Sequence, residues 1–561
     1  MQKEWKINTP NPNLQASLSD ALDVHPIVAQ LLINREITDV GEARDFLRAD
    51  FSDLHDPFLL KNMDTAVKRI HKAQDNKERI LVVGDYDVDG VTSSTLLNNV
   101  FTQLKIEVIH HIPHRMQDGY GLNENVATIA KEKQIGLIVA VDCGITAYEA
   151  VELINQNGID VIILDHHEPD KHIPKAVAIV NPKQKDCPYP FKHLASVGLV
   201  VKLAQALLGD DHSRGILDFA AIGTIADVVP LRGENRIFVK SGLPRINRTN
   251  NKGLAALLDI TKIKEKKLSP FHIGFVLGPR INAAGRMDSA QASLDLFLSK
   301  DGQEAYGLAK DLEKHNLTRQ KTQREVVDEA FAMIEQEAGF KDQKIIVLSK
   351  KGWHKGVLGI VASRLKDKYY RPSIIISIED GVGTASARSI DGFHLHEALT
   401  NCAQYLENYG GHAGAAGLTI KEENIDLFRN LINEFAHENL EVKKLLPSLV
   451  IDCEIPLGSI TMELADIINA MEPFGEGNPA PIFCSRQVIV KSAPMVLGRN
   501  TLKFWVSDGS FSISAVGFGM ADYRDRVVPG GAIDLAYQIG IDDWNKAPTP
   551  QIILKDIRAC L

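Results

Sequence analysis

The stretch RILVVGDYDVDG (79–90) decides the fold. Four consecutive apolar residues, Ile80 to Val83, with no polar alternate are the pattern of a strand buried on both faces. Aspartates at every second position then lead into a helical segment at 90–104. The same design recurs downstream in IEVIHHI (106–112), LIVAVD (137–142), VIILDHH (161–167) and AVAIVNP (176–182), with helical patterns such as 147–157 between. Strand–helix alternation of this kind predicts an α/β fold with a parallel sheet covered on both faces.

From 196 to 338 helical periodicity takes over, and 304–338 contains no proline and one glycine. Fully helical, that segment would run about 50 Å, which suits a connecting helix between two lobes. A second α/β unit follows, with strands at 344–349, 372–380 and 383–389, a helix at 355–369 and the Gly/Ala-rich YGGHAGAAG (409–417). Short strands punctuated by Gly, Asp and Pro after Pro447 predict a small antiparallel barrel. The expected organisation is a helical lead-in at 1–77, a catalytic lobe with a helical extension at 78–300, a long helix at 301–340, a second lobe at 341–445 and a barrel at 446–561.

Composition narrows the function classes. With 44% hydrophobic and 24% charged residues, the 561-residue chain is neither disordered nor fibrous. Its net charge of −9 rules out a basic footprint over the whole protein, leaving only local positive stripes for nucleic acid. One such stripe lies between Arg232 and Lys267, where ten Lys/Arg face three Asp/Glu. It fits a phosphate track or a solvated helical face. No apolar run predicts an export signal or a membrane span. Six cysteines without a C-x-x-C argue against a disulfide framework or a zinc site, so a reducing cytoplasm is expected.

The chemistry is carried by acids placed where buried strands end. Asp85, Asp87 and Asp89 follow the first strand, Asp142 the third, Asp165-His166-His167 the fourth, and Asp227 closes a helical stretch before VVPL. In open α/β sheets ligands bind beyond the carboxyl ends of the strands. Two like charges about 4 Å apart repel by roughly 4 kcal/mol at an effective dielectric near 20. Four or five converging carboxylates therefore call for cations. Oxygen-rich ligation with a few imidazoles suits a pair of Mn²⁺ or Mg²⁺ ions and phosphoester hydrolysis. Taken singly, the D-x-D-x-D run also fits an Asx-rich turn, Asp142 a helix cap, and the two histidines a structural role.

DYDVDG (85–90), VDCG (141–144), DHH (165–167) and ADVVP (226–230) together resemble the motifs of the DHH phosphoesterase superfamily. GPRINAAGRM (278–287), SARS (386–389), GGHAGAAG (410–417) and PFGEGNPAP (473–481) narrow the resemblance to the bacterial RecJ family of single-strand-specific 5′→3′ exonucleases. The resemblance implies a two-lobed DHH/DHHA1 core joined by a long helix, with an OB-like β-barrel appended. It also implies two Mn²⁺ or Mg²⁺ ions per site, release of 5′-mononucleotides, and roles in recombination and DNA repair.

Asp87, Asp89, Asp142, His166 and Asp227 are implied as metal ligands, and Asp85, Asp165 and His167 as ligands or their immediate partners. His166 and His167, with Asp142, are the candidate catalytic groups, one imidazole assisting the leaving group. Arginine grips a terminal phosphate in bidentate fashion, which makes Arg115, Arg280, Arg286 and Arg388, with Ser386 and His412, the candidate substrate contacts. A flexible turn is the other reading of the glycines around His412. Phe504, Trp505 and Trp544 are candidate stacking groups in the barrel, with Phe504 or Trp505 inward by alternation. Single-stranded DNA is the expected partner, with a single-strand-binding protein and a repair helicase implied by family, in a bacterial cytoplasm near the nucleoid. The competing readings are a DHH-type phosphodiesterase of small molecules or short oligonucleotides and a non-catalytic scaffold.

Overall fold

The computed structural model describes residues 3–114, 121–336, 340–542 and 548–559, and the statements below concern these residues. The chain divides into two compact units. The larger consists chiefly of Trp5–Gly285, Ser289–Lys310 and Val450–Leu561, and the smaller chiefly of Asp311–Leu449. The helix Gly302–Gln336 begins in the larger and ends in the smaller. At 35 residues it spans about 52 Å.

In the larger unit five parallel strands form one sheet in the order Val108–His111, Ile80–Gly84, Leu137–Val141, Asp160–Leu164, Ala178–Val180. Every residue of Ile80–Gly84 and Leu137–Val141 is buried, as their unbroken apolar runs require. These two strands are adjacent although they are first and third in the chain, so their connections leave in opposite directions. A crevice opens at such a switch point, and Asp85 and Asp142 stand directly at its mouth.

After Pro447 the chain forms a seven-stranded sheet in which Phe483–Val490 pairs with both Ala532–Asp542 and Thr501–Ser507, curling the sheet into a barrel. Its interior is not a core of its own. Val28, Leu31, Leu32 and Phe46, from the helices Pro26–Asn34 and Val40–Arg48, pack into one cluster with Leu457, Phe483, Leu502 and Leu535. The amino-terminal helices thus close the barrel. Phe504 is fully buried and its neighbour Trp505 is 46% exposed, as the period-two alternation of a half-buried strand requires. Trp544 lies outside the described residues.

The smaller unit holds a mixed five-stranded sheet, in the order Leu406–Gly411, Ala415–Lys421, Val382–Arg388, Ser373–Glu379, Ile346–Lys351. The Gly/Ala-rich stretch is therefore no flexible turn. Its residues pair across a hairpin and against Val382–Arg388, with Gly417 opposite Ser386 and Ala415 opposite Arg388.

Three cations at the start of the basic stretch 232–267 are structural rather than part of a phosphate track. Arg236, 1% exposed, donates to the carbonyls of Phe46 (2.8 Å), Met471 (3.0 Å), Glu472 (3.1 Å) and Pro473 (3.3 Å). Arg232 donates to Gly477 and Arg35 carbonyls, and Lys240 to those of Leu47 and Arg48. These cations solvate backbone oxygens that the junction between lead-in, helix Gly233–Ile246 and barrel takes out of water. Replacing Arg236 by Ala strands four carbonyls, each costing about 1–3 kcal/mol when buried unpaired. A loss of about 3 kcal/mol or more is expected, seen as a lower urea midpoint; an unchanged midpoint would refute this account of the junction.

Candidate metal centre

Asp87 caps the helix Val88–Gln103, its Oδ1 accepting from the amides of Asp89 (2.9 Å) and Gly90 (3.1 Å). The helix starts so close to the preceding strand that a Cβ on Gly90 would meet the Asp85 carbonyl oxygen at 2.3 Å. Glycine permits that approach, and the aspartates at 85, 87 and 89 are held around a tight corner. Asp89 is 1% exposed, and its two oxygens accept from the amides of Ser196 (2.7 Å) and Val197 (2.9 Å). Those amides open the helix Ser196–Leu208, which lacks a side-chain cap of its own. The carboxylate thus sits on a helix N-terminus, where the partial positive charge favours it.

Asp142 ends its strand at φ +62°, a left-handed conformation that aspartate tolerates better than most residues. Its Oδ1 accepts from the Ser196 hydroxyl at 3.0 Å. His166 Nε2 lies 3.4 Å from Asp142 Oδ1 and 3.5 Å from Oδ2 of Asp227, which terminates the helix Leu217–Ala226. Asp165 plays a different part. Its Oδ2 accepts from the Ile145 amide (3.0 Å), while its Oδ1 accepts from the His167 amide (3.1 Å) and meets His167 Nδ1 at 2.7 Å. It orients the imidazole rather than facing the cluster.

Seven side chains consequently fall into three overlapping groups whose donor atoms lie within 4.8 Å of one another: Asp85, Asp87 and Asp142; Asp142, His166 and His167; Asp89, His166 and Asp227. Asp142 and His166 each belong to two groups, which is the arrangement of ligands shared between neighbouring cation positions. His166 Nε2 and Asp227 Oδ2 are buried without a hydrogen-bond partner. Octahedral ligands about 2.1 Å from a Mg²⁺-sized ion stand about 3 Å apart, so the 3.4 and 3.5 Å separations suit a shared cation. Oxygen and imidazole donors without thiolate suit Mn²⁺ or Mg²⁺.

Electrostatics say the same. Burial, then the neighbouring Asp87, raises Asp89 to about 7; burial, then Asp89 and Asp87, raises Asp227 to about 9. Asp142 is pushed well above the carboxylate range by burial and four surrounding aspartates. Burial also lowers His166 to about 3, leaving a neutral, ligating imidazole. Burial alone would lower His167 too, but the hydrogen bond and charge of Asp165 outweigh it and hold the ring at about 9. Without cations the cluster can relieve its repulsion only by taking up protons.

Sequence reasoning missed Ser196, Val197 and Ile145, which position the acids. All three act through backbone amides, which any residue supplies, and Ser196 adds its hydroxyl. The one legible signal is a serine at the start of a helical run. Of the substrate candidates, Ser386 and Arg388 lie together on one strand, with the Arg388 guanidinium 3.2 Å from the Ser386 hydroxyl. Both face Gly359 of the helix Leu358–Tyr369, where a Cβ would meet Arg388 at 2.9 Å and Ser386 at 3.0 Å. His412 is exposed at the hairpin tip, its amide bonded to the Ala415 carbonyl. Arg280 donates to the Val276 carbonyl (2.8 Å) and Arg286 to that of Gly356 (3.3 Å), so both have structural duties. Arg115 lies outside the described residues.

Known proteins resemble this chain over most of its length. Residues 79–224 match the model of the DHH family N-terminal domain, 342–438 the DHHA1 domain, and 451–556 the RecJ OB domain. A single-stranded-DNA-specific exonuclease RecJ of Bacillus subtilis is 39% identical over 98% of this chain and 70% of its own length. The protein of that name from Haemophilus influenzae is 32% identical over 96% of this chain and 97% of its own. The crystal structure of a Thermus thermophilus RecJ in complex with Mn²⁺ superposes with a TM-score of 0.86 at 28% identity, covering 100% of this chain and 80% of that one.

Asp89, Asp227 and His167 hold protons more tightly in the folded than in the unfolded chain. The stability they add is present at low pH and lost as pH rises, through about 7 for Asp89 and about 9 for Asp227 and His167. His166 has the opposite sign, but with a folded value of about 3 it acts only below its ordinary 6.5. Chelator-treated protein should therefore lose thermal stability between pH 6.5 and 9. Manganese at a hundred times its Kd should restore about 2.7 kcal/mol. A melting temperature indifferent to manganese at pH 8 would rule out a cation site in this cluster.

Proposed function

The chain belongs to the RecJ family of single-stranded-DNA-specific exonucleases, and on that premise we propose that it degrades single-stranded DNA from the 5′ end, hydrolysing phosphodiesters and releasing 5′-mononucleotides. The observation that carries this reading is the convergence of Asp85, Asp87, Asp89, Asp142, His166, His167 and Asp227 at the sheet's switch point, with Asp142 and His166 common to adjoining groups. Two divalent cations, when bound there, supply Lewis acidity toward the phosphodiester and lower the pKa of water.

The chain's own residues do the rest. Asp87 and Asp89, locked by the two helix starts, hold the geometry of the acids before any ligand arrives. The neutral His166 and the left-handed Asp142 bring nitrogen and oxygen donors to the same point. His167, oriented through Nδ1 by Asp165, presents Nε2 to hydrogen-bond or protonate the departing oxygen. Ser386 and Arg388, with Arg115 and His412, are assigned to the terminal phosphate. Trp505, half-exposed on the barrel, offers a face for base stacking.

The same reading makes single-stranded DNA the substrate and places the enzyme in recombination and repair. A single-strand-binding protein and a repair helicase would be its partners in a bacterial cytoplasm close to the nucleoid. Family membership supports these, and among the described residues no helix is long and apolar enough to cross a membrane.

Asp142→Asn keeps a side chain that accepts the left-handed backbone while removing the charge. It is expected to lower manganese-dependent release of nucleotides from a 5′-phosphorylated single strand by at least ~100-fold, the scale on which even outer partners of metal ligands act. Activity within a few-fold of wild type would overturn the ligand assignment. Loss of a charge-assisted phosphate contact costs about 1.5–3 kcal/mol. Arg388→Ala should accordingly raise KM about 10- to 150-fold on a 5′-phosphorylated strand and leave a 5′-hydroxyl strand nearly unaffected; equal effects on both would remove Arg388 from the end-phosphate site.

A further inference from the structure

Two phenylalanines on the segment leading into the helix Gly278–Met287 are exposed where burial would be expected. Phe271 is 60% and Phe275 71% exposed, and their rings stack on each other with centroids 5.0 Å apart and an interplanar angle of 24°. Burying such a ring stabilises a fold, although isolated exposed apolar residues are common. A stacked pair held outward is another matter. The backbone here departs from α-geometry, with a π-helical turn at Ile273–Leu277 between Pro270–His272 and the helix Gly278–Met287. Such turns recur at functional sites.

The position of that turn gives it meaning. A Cβ on Gly278 would lie 3.9 Å from both Ala226 Cβ and Val88 Cγ2. Ala226 precedes Asp227, and Val88 stands between Asp87 and Asp89. The helical segment that carries the two rings therefore touches both cation-binding corners, with Phe275 less than one turn away and Phe271 about two (roughly 11 Å at 5.4 Å per turn). A Cβ on Gly274 would meet nothing within 4 Å, so the surface beside the rings is open. Positive charge borders it. Lys266 is exposed and stands near His272, whose pKa is lowered first by burial and then by that lysine, and Lys267 reaches Glu472 at the foot of the barrel (3.4 Å).

We propose that Phe271 and Phe275 form a base-stacking platform for single-stranded DNA at the rim of the metal centre, with Lys266 beside it for the phosphate backbone. This rests on the reading of the chain as a single-strand exonuclease and adds a site to it. Every base offers a π-face, and stacking on an aromatic side chain is worth about 5- to 150-fold in affinity per base without sequence preference. Bases within a duplex are already stacked and gain nothing from the platform, so it favours an unpaired strand.

The test uses the full chain with Phe275→Leu, which keeps apolar bulk without a π-face, and the double variant Phe271→Ala/Phe275→Ala. With Ca²⁺ in place of Mn²⁺, an oligonucleotide carrying 2-aminopurine near its 5′ end reports stacking as quenched fluorescence. Wild type should quench it and the double variant should not. In Mn²⁺, KM for a long 5′-phosphorylated strand should rise about tenfold for Phe275→Leu, with kcat unchanged. Wild type should show the same rise on a strand whose bases in that region are replaced by abasic residues. Unchanged KM and quenching in both variants would overturn the platform. So would sedimentation showing that the rings bury against a second copy of the chain in the DNA complex. Quenching by wild type without any cleavage would instead uphold the platform and sink the exonuclease reading.

Discussion

Repulsion among buried carboxylates is the constraint on which the rest of this structure depends. Asp89, Asp142 and Asp227 crowd one pocket, and each is driven toward its protonated form by burial and by the others. A fold does not gather such groups without an arrangement that makes their charge bearable. Part of it is built into the chain: Asp87 sits on one helix start and Asp89 on another, and Ser196 donates to Asp142. The remainder falls to divalent cations, whose charge exceeds anything backbone dipoles supply.

The framework around the pocket follows from the same demand for fixed positions. Strands buried over their whole length leave no freedom of register, because each backbone group is paired within the sheet. Helices start at the strand ends with glycine where the backbones nearly touch. A Cβ on Gly223 would come within 3.0 Å of Asp89 Oδ1, so even the third helix of the pocket is set by close approach. Farther out, Arg236 and Arg232 bind carbonyl oxygens instead of carboxylates. They join the lead-in helices, the sheet domain and the barrel into one unit in which the barrel's position relative to the metal centre is fixed.

Two kinds of recognition then divide the work by chemistry. The phosphodiester would be met by cations held on oxygen and imidazole donors that tolerate no displacement, since a shared ligand serves two positions at once. The bases are met by two flat rings, one of them on a π-helical turn, which tolerate any sequence because stacking reads no hydrogen-bond pattern. The pairing suits an enzyme whose product changes at every step while its reacting group stays the same.

Much of the fold was legible in the sequence. RILVVG, LIVAVD and VIIL announced parallel strands because a strand buried on both faces has no polar alternate, and the acids at their ends announced a site because strand ends converge at a switch point. The alternation of Phe504 and Trp505 was readable for the same reason. What the sequence did not carry was whatever depends on backbone atoms or on distant partners. The amides of Ser196, Val197 and Ile145 bear no side-chain signature. The basic run at 232–267 looked like a phosphate track, yet Arg232, Arg236 and Lys240 turn inward, because only the folded chain places unpaired carbonyls beside them. Asp165 and Asp142 read alike as acids after apolar strands, and tertiary structure alone made one the holder of His167 and the other a donor shared between two groups. Local pattern determines which residues lie at strand ends; which of their lone pairs remain available is decided by hydrogen bonds formed across a hundred residues of intervening chain.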